Sequence, residues 1–140
     1  MVLAIRDSRS LPAGTRSGAL DDMKLITAIV RPEKLDELIQ ALIDQGVRGL
    51  TVTDVRGFGQ QYGRLIGTTA RIRGSDGGRM AVLLTKVRLD LVVLDDDAET
   101  VVDVIAKRAR TETIGDGKIW VTPVDGALRV RTGERDRAAV

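Results

Sequence analysis

The strongest constraint on the fold is a change of hydrophobic period that occurs twice along the chain. Residues 25–30 form an apolar run broken only by Thr27, the pattern of a strand buried on both faces. Pro32 follows at a position suited to the first turn of a helix, where its missing N–H costs nothing. Leu35, Leu38, Ile39, Leu42 and Ile43 then fall on one helical stripe. Gly46 stands where a C-terminal glycine cap belongs. "GLTVTDVRGFG" is rich in β-branched residues and reads as a strand ending at Gly57. The same order then returns. "VLLTKVRLDLVVL" is a strand, Asp96 with Glu99 has capping-box spacing, and Val101, Val102, Val104 and Ile105 supply a helical face. "KIWVTPV" is another strand, and "ALRVRTGERD" reads as a short strand with a polar tail.

Two β-α-β halves predict an α+β, ferredoxin-like split βαβ (βαββαβ) sandwich with a small extra C-terminal strand. Both helices would cover one face of the sheet. The other face needs cover too, and self-association is the economical way to provide it. The 140 residues suit one domain. Residues 1–22 lack any period and read as a flexible N-terminal tail, with the domain over residues 23–140. Between the halves, residues 60–81 carry five glycines and Arg64, Arg71, Arg73 and Arg79 against the single acid Asp76. A loop of about 20 residues within a compact domain is usually functional or disordered. Its basic excess suits an acidic or carbonyl-lined partner.

Composition narrows the function. Cysteine is absent, which removes disulfides and thiolate metal sites. Histidine is absent as well, which removes Ser-His-Asp triads, most zinc sites and the usual base near neutral pH. These absences argue against an enzyme. Lys and Arg number 22 against 20 acids, a balance too even for bulk nucleic-acid binding. No apolar run approaches the ~18 residues that would span a bilayer, and the N-terminus lacks the apolar stretch of a signal peptide. The expectation is a soluble cytoplasmic protein.

Three short motifs suggest a ligand. "IGDGK" (114–118) places Gly115 and Gly117 around Asp116 and ends on Lys118. Such glycines let successive N–H groups converge on a phosphate, and the lysine adds a point charge. Its spacing and its position before a strand differ from a Walker A loop. "GFGQQ" (57–61) permits close backbone approach at a strand end. "RVR" (129–131), read as strand, would send two guanidiniums from one face toward a polyphosphate. Each motif alone is weak, and their joint presence on one small sheet is what counts.

With these motifs the chain resembles the PII signal-transduction (nitrogen regulatory protein P-II) family from Met23 onward. The runs that carry the likeness are "KLITAIVRPEKLDELIQALIDQGVRGLTVTDVRGFG" and "TIGDGKIWVTPVDGALRVRTGER". The resemblance implies a homotrimer with an adenine-nucleotide site in each cleft between neighbours, where ATP and ADP compete. The 60–81 loop would be the family's T-loop, which docks on targets such as an ammonium channel or nitrogen-metabolism enzymes and regulators. Ile29, Gly49, Leu50, Thr51 and Val92 would line base and ribose. Gly57, Phe58, Gly59, Gly115, Asp116, Gly117 and Lys118 would hold the phosphates together with Arg129 and Arg131. Gln61 would help to coordinate Mg²⁺ and 2-oxoglutarate, and Lys86 would pair with a 2-oxoglutarate carboxylate.

The departures from the family pattern are local. Gln60 replaces an arginine that reaches the terminal phosphate, which lowers the expected preference for ATP over ADP. Thr111, Glu112 and Thr113 stand for the family's T-G-K, so a glutamate replaces a glycine beside the cradle. The T-loop is longer than usual and lacks the tyrosine that is uridylylated in many bacteria; Tyr62 sits at its base. "IRG" resembles the tip segment whose arginine plugs the ammonium channel, which makes Arg73, with Arg71, a candidate partner contact. The altered loop also admits an alternative, a divergent PII-like sensor of carbon or bicarbonate metabolism of the carboxysome-associated type.

Overall fold

The computed structural model describes residues 22–59, 70–73 and 80–140. Its strands are β1 (Met23–Val30), β2 (Thr51–Gly57), β3 (Ala70–Arg73), β4 (Met80–Leu94) and β5 (Lys118–Pro123). Its helices are α1 (Leu35–Asp44) and α2 (Asp95–Ala109). The main sheet is antiparallel in the order β2-β4-β1-β5, and β3 pairs with the start of β4. Central β1 and β4, with edges supplied by β2 and β5, give the expected ferredoxin-like α+β arrangement.

Register explains the core. Ile26, Ala28 and Val30 of β1 lie opposite Leu91, Leu89 and Val87 of β4, and all six are buried beneath the helices. Leu38 and Leu42 of α1 and Ala98, Val101, Ile105 and Ala109 of α2 close this layer. The expected α1 stripe is therefore real, although Ile43 at its margin is exposed. Pro32 sits in a single 3₁₀ turn, Pro32–Lys34, that leads into α1. Gly46 ends the helix at φ +93. The Val47 N–H donates to the Leu42 carbonyl and the Gly46 N–H to the Ile43 carbonyl, the paired bonds of a Schellman cap.

Four local expectations change. β1 is not buried equally on both faces, because Leu25 and Ile29, on the side without helices, are only half-buried. On that side Thr27 is fully buried and donates to Asp90 (2.7 Å). Asp96 does not cap α2: the helix starts at Asp95, and Leu94 at the cap gives no side-chain bond. The Asp95 N–H instead donates to the Asp22 carbonyl, and its carboxylate pairs with Lys24 at 3.3 Å. Part of the 60–81 segment is strand, since β3 forms a hairpin with Met80 to Leu83 in register. The extra C-terminal strand is reduced to one isolated bridge, Leu128 with Arg135. Between these residues the chain turns, with the Thr132 and Gly133 N–H groups both on the Arg129 carbonyl and Gly133 at φ +75. Arg129 and Arg131 are thus residues of a turn and do not share a strand face.

Candidate functional site

β1, β4 and β5 bring one end of the sheet to the segment 111–117. β1 stops at Val30, opposite Val87, so Arg31 and Lys86 come next on the two central strands. Val55 of β2 is paired with Lys86, and Ile29 with Lys118. Along residues 115–117 the backbone alternates in hand: Gly115 has φ +99, Gly117 has φ +106, and Asp116 between them is not in the left-handed region. Alternating hand is the geometry that points successive N–H groups into a concavity. A Cβ on Gly117 would overlap the Ile29 carbonyl oxygen, so only glycine fits there. At Gly115 the nearest atom to a Cβ would be Arg31 Nη2, at 3.3 Å.

The loop is held by its own polar groups. Asp116 accepts from the Thr111 N–H (2.7 Å), the Thr111 hydroxyl and Arg31 Nε (3.1 Å). Arg31 Nη2 donates to Thr113 Oγ1 (2.9 Å) and to the Ile114 carbonyl (2.7 Å). Lys86 Nζ donates to the Gly115 carbonyl. Partial burial works to raise the Asp116 pKa, but the bonds from Thr111 and the Arg31 charge outweigh it and hold the carboxyl far below its ordinary range. Burial lowers the Lys86 pKa, and the neighbouring Arg31 charge lowers it further. The carboxylate of Asp116 thus braces the loop from inside. Arg31, Thr111 and Thr113 were not among the expected site residues. Arg31 lies far from the loop in sequence, and only the β1–β5 register brings them together.

The other expected residues divide between two places. Ile29, Gly57, Lys86, Gly115, Gly117 and Lys118 belong to this end of the sheet, with Phe58 and Gly59 just beyond β2. Thr51 pairs with Asp90, and Val92 lies opposite Leu25. Six steps along the strand separate Lys86 from Val92, about 20 Å. Gly49 and Val92 line a cavity of about 330 Å³ with Val93, Thr100, Arg137 and Val140. The C-terminal turn begins at this second end, where the Val124 N–H donates to the Met23 carbonyl and Arg137 pairs with Asp22 at 2.9 Å. Arg129 is bound to Glu134 within the turn, and Val130 at its tip is 92% exposed. Gln60 and Gln61 lie outside the described residues, as do residues 1–21, Tyr62 and most of the 60–81 loop. Arg71 and Arg73 fall on β3, opposite Val82 and Met80.

Among the described residues no group of three or more His, Cys, Asp or Glu could hold a metal ion, and no helix is long and apolar enough to cross a membrane. The family model for nitrogen regulatory protein P-II matches residues 23–134. The chain is 46% identical over 118 residues to a nitrogen regulatory protein P-II of Synechocystis sp., covering 84% of this chain and all of that one. It is 47% identical to nitrogen regulatory protein P-II 1 of Escherichia coli, with the same coverage. Among solved structures it resembles Arabidopsis thaliana PII bound to citrate, with a TM-score of 0.67, 38% identity, and coverage of 86% of this chain and 94% of that one.

Proposed function

The chain belongs to the nitrogen regulatory protein P-II family of signalling proteins, which regulate and do not catalyse, and from this premise we propose that it senses adenine nucleotides in clefts formed between copies of itself. The observation that carries the reading is the division of the site. A glycine cradle with Lys86 and Lys118 stands at one end of the sheet, while the Gly49–Val92 cavity and the arginine turn stand at the other. One nucleotide cannot use both ends of a single copy. A head-to-tail contact, repeated around a closed ring, would bring the first end of one copy against the second end of the next. A homotrimer is the ring that the family resemblance implies.

In such a cleft Gly49, Leu50, Thr51 and Val92 of one copy line the base and ribose together with Ile29 of the next. Gly57, Phe58, Gly59, Gly115, Gly117 and Lys118 hold the phosphates, and Arg129 and Arg131 reach them from the neighbour. ATP and ADP compete for this cleft. Mg²⁺ arrives with ATP and takes most of its ligands from phosphate oxygens and water, with Gln61 as the protein's contribution. Lys86, which bonds the Gly115 carbonyl, exchanges that carbonyl for the carboxylate of 2-oxoglutarate in this reading. The Arabidopsis PII is described as bound to citrate, itself a polycarboxylate, which supports an anionic effector. Arg71 and Arg73, in the segment of the T-loop, contact a target protein of nitrogen metabolism such as an ammonium channel, in the cytoplasm. The relatives are nitrogen regulatory proteins, which favours this reading over the bicarbonate alternative.

Calorimetric titration tests the proposal. Binding of ATP and ADP at one site per copy is expected, and 2-oxoglutarate should bind only with Mg·ATP present. Lys86→Ala and Gln61→Ala should remove the 2-oxoglutarate response. Failure of every adenine nucleotide to bind would overturn the reading.

A further inference from the structure

One side chain connects β1 to three residues of the glycine loop. Arg31 follows the last residue of β1, and its backbone is extended (φ −68, ψ 138), as a residue before proline prefers. Its three guanidinium nitrogens all face protein oxygens. Nε reaches Asp116 at 3.1 Å, Nη2 reaches Thr113 and the Ile114 carbonyl at 2.9 and 2.7 Å, and Nη1 lies 3.8 Å from Glu33. In this structure the whole guanidinium is engaged with the loop and with Glu33. Its planar fork fixes three loop positions relative to one strand, which the single ammonium of a lysine does not do.

We propose that Arg31 is the positioning residue of the phosphate cradle, setting the aim of residues 113–117 and keeping the Asp116 carboxylate turned into the loop. The inference rests on the nucleotide reading above for its effect on binding, and on geometry alone for its effect on the loop. Thr113 and Ile114 have lost their Arg31 donors if the guanidinium is removed, and Asp116 then keeps only Thr111. A carboxylate released at that point repels phosphate, and the repulsion grows with the number of phosphates.

The test uses the full chain and the variants Arg31→Gln, Arg31→Lys and Thr111→Val, each checked by circular dichroism for a retained fold. Affinities for adenosine, ADP and ATP are measured beside amide exchange of residues 113–117 without nucleotide. Arg31→Gln is expected to weaken ATP about tenfold, ADP less, and adenosine not at all, and to speed exchange in the loop. Arg31→Lys should restore little, because it returns the charge without the fork. Thr111→Val, which removes a bond to Asp116 without touching β1, should shift the same amides. Equal weakening of all three ligands, or rescue by lysine, would overturn the proposal. If the unmodified chain binds no nucleotide, the function reading fails instead, and unchanged loop exchange in Arg31→Gln would then overturn this inference by itself.

Discussion

Glu112 occupies a position where its side chain works against the backbone. It has φ +60, a left-handed conformation that costs a residue with a Cβ about 1–2 kcal/mol. The family pattern places glycine there, so Glu112→Gly is expected to raise stability by up to about 1 kcal/mol, after allowing for the freer unfolded chain. Chemical denaturation checks this, and a loss of stability would contradict it. Asp116 sets a second expectation. Its native pKa lies below its ordinary 3.8, so the ionised form is favoured by folding. Its contribution is complete above the unfolded value and is lost as pH falls toward the native one. Melting temperatures followed from about pH 6 to pH 2 should therefore fall less steeply for Asp116→Asn. The glycines of this loop could be read in the sequence because φ > 0 has few other occupants. Arg31 could not, because its role depends on a partner 85 residues away.

At the scale of elements, the helices were legible because their stripes match the buried faces. Leu38 and Leu42 are fully buried, and Gly46 closes α1 as its position suggested. Leu38→Ala should cost about 2–5 kcal/mol, measured by denaturant unfolding with an unchanged slope. A cost below about 1 kcal/mol would mean that α1 is not seated as described. Turns and caps were less legible. Asp96 has capping-box spacing, yet α2 begins two residues earlier than an Asp96 cap would set, with Asp95 held by Asp22 and Lys24. "RVR" has strand-like alternation, yet Gly133 and the Thr132–Glu134 bond (2.7 Å) fold it into a turn. Local hydrogen bonds outweighed a propensity of three residues. The β3 pairing with β4 escaped notice because glycines and arginines hide a period of two in so short a strand.

For the whole molecule, the residues of the proposed nucleotide site fall at two ends of the sheet, about 20 Å apart along β4. The face without helices leaves Trp120 41% and Val92 36% exposed, which is consistent with apolar surface that a neighbouring copy would cover. Individual motifs could be matched to nucleotide chemistry in the sequence, but their division between two ends could not, because spacing along a chain does not reveal which end of a sheet a residue reaches. The central claim is that one cleft takes residues from two copies. Co-expression of two differently tagged chains tests it most directly, one carrying Lys118→Ala and the other Arg129→Ala with Arg131→Ala. Each variant alone should bind ATP poorly. Mixed trimeric rings purified through both tags should regain wild-type affinity at about a third of their clefts, the one per ring in which an intact lysine end meets an intact arginine end. Mixed rings with no high-affinity clefts would contradict the claim and place the site within a single copy.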